Sequence, residues 1–94
     1  MNKCLRIIFH GDIPKKFLHT VIQKYARKLS LEGTAQFFNG DGKTVRIIAC
    51  GLKDDVDEFL DILHHEVSKG GLENLVIEPF VKEKDFRGIF RVIE

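Results

Sequence analysis

The stretch HGDIPKKFLH, residues 10–19, divides two different apolar rhythms. Before it, residues 3–10 alternate: Leu5, Ile7 and Phe9 fall on one side, and Cys4, Arg6, Ile8 and His10 on the other. That is the pattern of a half-buried strand, which Gly11 ends. After it, Leu18, Val21, Ile22, Tyr25, Ala26 and Leu29 recur at helical spacing, predicting an amphipathic helix over 18–29. Pro14 suits its first turn, because a missing N–H there removes no helical bond. Lys24, Arg27 and Lys28 favour its C-terminal end, and the helix should stop near Ser30, before Gly33. A strand, a glycine turn and a helix start can aim several backbone N–H groups at an anion. The residues that would form such a loop are Gly11, Asp12, Ile13, Pro14, Lys15, Lys16 and Phe17. The plainer reading of the same stretch is a connecting turn with no ligand.

Outward from this stretch, residues 33–38 and 44–50 read as two strands around Asn39-Gly40-Asp41-Gly42. Asn-Gly and Asp-Gly tolerate the positive φ that tight hairpins need. Gly51 closes the second of them. A second amphipathic helix is expected over 54–69, with Val56, Phe59, Leu60, Leu63 and Val67 inward. Asp54, Asp55, Asp57 and Glu58 crowd its N-terminus, where negative charge suits the helix dipole. Gly70-Gly71 ends it. Residues 74–81 form another strand, and Phe86, Gly88, Phe90 and Val92 alternate in a last short one.

The order β-α-β-β-α-β plus a terminal strand predicts an α+β ferredoxin-like sandwich. Two helices cover one face of a mostly antiparallel sheet, with strands 1 and 3 central. Ninety-four residues make one domain, 1–94. With 44% apolar and 31% charged residues, the composition is that of a soluble globular protein. No apolar run is long enough to span a membrane, and the N-terminus lacks signal-peptide features, so a cytoplasmic location is expected. A net charge of +1 and the lack of an aromatic RNP-like run argue against nucleic acid as a partner.

Several small signals have plain readings. Gly40-Asp41-Gly42-Lys43-Thr44 lacks the spacing of a P-loop and precedes a strand. His64 and His65 are adjacent on a helix and face different ways, so no metal is expected. Cys4 and Cys50 form no C-x-x-C pair, and the first expectation is two free thiols. The predicted strand pairing brings both to the uncovered sheet face, near enough for oxidative bridging. Ile8 and Ile48 on that face offer a modest surface for a dimer, although a monomer is the first expectation.

The chain resembles the acylphosphatases, small ferredoxin-like hydrolases of carboxyl-phosphate bonds. Their first loop reads G-x-V-Q-G-V-x-F-R, and the same length here reads G-D-I-P-K-K-F-L-H, Gly11 to His19. The family has an Ala seven residues after its Arg, then L-G-L-x-G. Here Ala26 is seven after His19, and L-S-L-E-G follows from Leu29 to Gly33. Asn39 and Gly51 match a family Asn and a Gly twelve residues on, and Phe90-Arg91-Val92 matches its last strand. The resemblance implies that loop amides and an Arg hold the phosphate and that an Asn orients the attacking water. No cofactor is implied.

On that resemblance the catalytic positions are Asn39 and His19. His19 stands where the family has Arg, so a neutral imidazole replaces a planar, permanent cation. Lys15 replaces a Gly and Pro14 a Gln, which alters the cradle and removes a donor. Lys15 and Lys16 supply charge without a bidentate fork. The expectation is an acylphosphatase-like protein with impaired or lost hydrolase activity. The alternative is a binding module that uses the 11–17 loop for an anion or the open sheet face for a protein. The spacing leaves open whether Asn39 or Phe37 holds the family's Asn position: the family has four steps from its Gly, whereas Gly33 to Asn39 is six. A two-residue insertion or a strand bulge would reconcile them.

Overall fold

The computed structural model describes residues 2–11, 15–37, 43–69, 73–79 and 88–93. Five strands form one sheet: β1 (Asn2–His10), β2 (Glu32–Phe37), β3 (Thr44–Leu52), β4 (Glu73–Pro79) and β5 (Phe90–Ile93). Their order is β4-β1-β3-β2-β5. The expected α+β ferredoxin-like sandwich is present, with β1 and β3 side by side at its centre. All pairings are antiparallel except β2 with β5, which run parallel.

The alternation read from β1 is the alternation observed. Leu5, Ile7 and Phe9 are buried under the helices with Val45, Ile47 and Ala49 of β3. Two helices supply the other half of the core. α1 runs through three consecutive segments, an α-turn (Lys15–Phe17), a π-helical stretch (Leu18–Gln23) and a final α-segment (Lys24–Lys28). α2 spans Lys53–Lys69 and buries Val56, Phe59, Leu63 and Val67. Phe59 meets Phe90 of β5 at 6.3 Å between ring centroids, so α2 holds the edge strand as well as the centre. Each fully buried side chain of this size contributes roughly 1.5–3 kcal/mol.

The π-helical stretch modifies the expected face of α1. Leu18, Ile22 and Ala26 are fully buried, four residues apart, whereas Val21, Tyr25 and Leu29 are only half-buried. A wider turn favours four-residue spacing over the mixed three-and-four of an α-helix. Thr20 lies in this stretch, and its hydroxyl donates to the carbonyl of Lys16 at 2.7 Å. Such a bond competes with the regular ladder and bends helices.

The helix ends where the sequence placed the stop. Ser30 adopts φ 56°, its N–H donates to the carbonyl of Arg27, and Leu31 N–H donates to that of Ala26. This is a Schellman ending with serine in the left-handed position that glycine takes most readily. Ser30→Gly should therefore raise stability by about 0.5–1 kcal/mol. Urea denaturation reads this as a higher midpoint at an unchanged slope.

One expectation is corrected. Gly51 does not close β3, which continues to Leu52 with Gly51 opposite Lys3 of β1. A side chain at Gly51 would meet Leu31 Cδ2 at 2.6 Å. The glycine thus gives Leu31 room to cover this end of the sheet. The last strand occupies Phe90–Ile93, so the alternation expected from Phe86 begins outside the described residues.

Ion pairs tie strands to helix at the rim. Asp57 of α2 accepts from Lys3 Nζ at 2.9 Å and from Lys53 Nζ at 3.1 Å. These hydrogen bonds, Lys3 first, hold the Asp57 carboxyl below its ordinary range. A depressed carboxylate stabilises the fold above its unfolded pKa, and that stabilisation is lost as pH falls through the folded value. Stability should fall as the medium is acidified below about pH 4. Asp57→Asn should make that acid limb shallower and leave the slope above pH 6 unchanged, as read by denaturation at stepped pH. The effect is small because all three side chains meet solvent.

Candidate functional site

The site begins where β1 runs out. Gly11 N–H donates to the Lys43 carbonyl at 2.9 Å, extending the β1–β3 ladder by one bond. That amide is committed to the sheet, so an anion at this loop would need donors from residues after Gly11. Beside it, His10 Nδ1 lies 3.0 Å from Thr44 Oγ1. His10 is exposed and Thr44 is buried, and the two stand opposite each other in register. This pair fixes the last residue of β1 before the loop. The sequence reading gave His10 and Thr44 no role. The signal was the β1–β3 register, which joins two polar residues that are far apart in the chain.

Lys15, Lys16 and Phe17 form the first turn of α1. The opening N–H groups of a helix have no intrahelical acceptor, so this turn faces its donors toward the loop. Lys16 is exposed. Phe17 packs edge-on against Phe9, with ring centroids 6.2 Å apart, so its ring anchors the loop's far end to the core. Any contact of Phe17 with a ligand would be through its backbone.

His19 is exposed on the π-helical stretch, and its Nδ1 lies 3.3 Å from Gln23 Oε1, one turn further along.

Asp12, Ile13, Pro14 and Asn39 lie outside the described residues. Phe37 is described, half-buried at the end of β2 and opposite Val45. The β2–β3 register runs unbroken from Glu32↔Cys50 to Phe37↔Val45. The bulge that could bring Asn39 to the family's Asn position is thus absent from 32–37. Among the described residues no three metal-ligating side chains come together.

The expectation of free thiols is overturned. Cys4 and Cys50 are joined as a disulfide, with Cα atoms 4.1 Å apart. The physical reason is the register, which sets the two residues directly opposite on the central strands. Both lie on the helix-free face, where Arg6 also pairs with Glu78 of β4 at 2.5 Å. Ile8, Ile48, Val76 and Ile93 share that face, and Val76 and Ile93 are exposed.

The fold is acylphosphatase-like, a five-stranded α+β sandwich with the loop after β1 at the start of the first helix. Two solved acylphosphatases match the chain over nearly all of both lengths. The one from Bacillus subtilis has a TM-score of 0.77 at 18% identity, covering 100% of each chain. The one from Coxiella burnetii has a TM-score of 0.73 at 23% identity, covering 98% of this chain and 93% of that one. Klebsiella pneumoniae BlrP1, solved with FMN and cyclic diGMP, also matches, with a TM-score of 0.67 at 17% identity. There the chain covers only 26% of the other protein's length. The sequence matches no family model and no curated protein. At these identities the likeness concerns the fold, and a fold alone does not set the chemistry. No helix among the described residues is long and apolar enough to cross a membrane.

Proposed function

We propose that this chain is an acylphosphatase-like protein with weak or lost hydrolase activity, whose 11–17 loop takes a small phosphate-bearing anion. The observation that carries this reading is the side chain at position 19. The family's arginine would offer a fixed, bidentate cation to the phosphate in ground and transition state. Position 19 instead carries an imidazole, which lies 3.3 Å from Gln23 Oε1 and has no such fork. Lys16, exposed on the first turn, supplies a positive charge, but as a point charge without a planar fork. Asn39 is the residue proposed to orient water in whatever activity is retained.

The test is hydrolysis of acetyl phosphate or benzoyl phosphate by the purified chain. The native protein should act near the background rate. His19→Arg should raise the rate by about 10²-fold, by analogy with restoring a lost transition-state donor. Asn39→Ala placed on top of His19→Arg should remove the gain. A fast native rate that survives Asn39→Ala would overturn the assignment. Phosphate binding without hydrolysis in either variant would favour the second reading, a binding module that kept the loop and lost the chemistry.

The partner on this reading is a small acyl phosphate or related anion, taken by a monomer. The cytoplasmic location expected from the sequence sits against the Cys4–Cys50 disulfide, since reducing compartments keep such pairs open.

A further inference from the structure

The two sulfurs of the Cys4–Cys50 disulfide are not equivalent. Cys50 is only 2% exposed, whereas Cys4 is half-buried. Cys50 lies between two strands, with Cys4 on one side and Glu32 of β2 opposite it on the other. The Glu32 carboxylate is held in place by the Gly88 N–H at 2.8 Å. Arg6, the next β1 residue on the same face, is neutralised by Glu78. Access rather than local charge therefore separates the two sulfurs.

A thiolate attacks a disulfide sulfur in line with the bond it breaks, and access is one determinant of which sulfur reacts. Cys50 is all but closed to such an approach, whereas Cys4 still meets solvent. We propose that Cys4 is a site of reversible S-thiolation by low-molecular-weight thiols. The incoming thiolate bonds to Cys4 Sγ, the Cys4–Cys50 bond breaks, and Cys50 leaves as a thiolate that takes a proton from water. One disulfide is exchanged for another, with no net oxidation. Cys50 then re-forms the original bond and expels the small thiol. Alternatively, a second small thiolate attacks the adduct's outer sulfur and frees Cys4. That second route oxidises two small thiols to their disulfide while the protein pair takes up the two electrons.

The test uses glutathione as the probe. Cys50→Ser and Cys4→Ser each keep one thiol and lose the same crosslink. Both are checked for a cooperative melt, incubated with oxidised glutathione at neutral pH, quenched in acid and weighed intact. Cys50→Ser should take one adduct about tenfold faster than Cys4→Ser, and in urea the two rates should converge. Equal native rates, or a faster Cys4→Ser, would overturn the proposal. Should either variant fail to fold, the oxidised native chain is pulsed with reduced glutathione and alkylated, and its peptides are mapped. Glutathione on the Cys4 peptide with alkylated Cys50 supports the assignment. Glutathione on Cys50 or on both equally, no adduct, or native protein with two free thiols overturns it.

Discussion

Removing the Cys4–Cys50 crosslink should lower stability by about 2–4 kcal/mol, and the melting temperature by roughly 10–30 °C. The bridged residues are separated by 46 positions. Closing a loop of that size restricts the unfolded chain by about 4 kcal/mol in the entropic account of disulfides. The native side changes little, because β1 and β3 stay paired along their length whether or not the sulfurs are joined. The measurement is a denaturant titration of the Cys4→Ser, Cys50→Ser double variant beside the oxidised native chain, with reduced native chain as a third sample. A double variant as stable as the oxidised chain would show that the crosslink contributes nothing. Reduced native chain should resemble the double variant, since both lack the same constraint.

Gly33→Ala should be at least as damaging, at about 4 kcal/mol or more, enough to leave the chain largely unfolded. Gly33 sits at φ 141°, and a Cβ built there would lie 1.8 Å from the Ile48 carbonyl oxygen. The obstacle is backbone and cannot rotate aside. Gly33 is held from both sides, opposite Ala49 of β3 and Phe90 of β5, and its N–H donates to the Ile89 carbonyl. Relieving the overlap means opening the sheet between β2 and β3 or detaching β5. Gly88→Ala is the control. Its φ is 69°, but nothing lies within 4 Å of an added Cβ, so only the backbone preference is lost, at about 1 kcal/mol. Circular dichroism and urea titration separate the two. Similar losses for both variants would mean that φ strain dominates and the Ile48 contact does not.

The candidate site was legible as a position rather than as a geometry. The change of rhythm at residues 10–19 located a strand end, a turn and a helix start, and β1 ends and α1 begins inside it. The orientation of His19 was not legible, because it depends on a π-helical stretch and on Gln23 four residues away. Amphipathic spacing alone does not distinguish a π turn from an α turn when apolar residues occupy both the third and fourth places. The His10–Thr44 contact was equally hidden, being a matter of register between strands separated by a helix and another strand.

Local sequence by itself determined the alternating faces of β1 and β3, the stop of α1 at Ser30, the inward face of α2 and the central pairing of β1 with β3. Each follows from periodicity, end signals or the handedness of connections, which act over a few residues or on whole elements. Tertiary structure alone decided that Gly51 continues β3 under Leu31 and that β5 lies parallel to β2. It also decided that Cys4 and Cys50 share one rung. These depend on register and on which edge is left to be covered. A shift of one residue would turn each side chain to the other face, so register is fixed only when both faces of the sheet have found their partners.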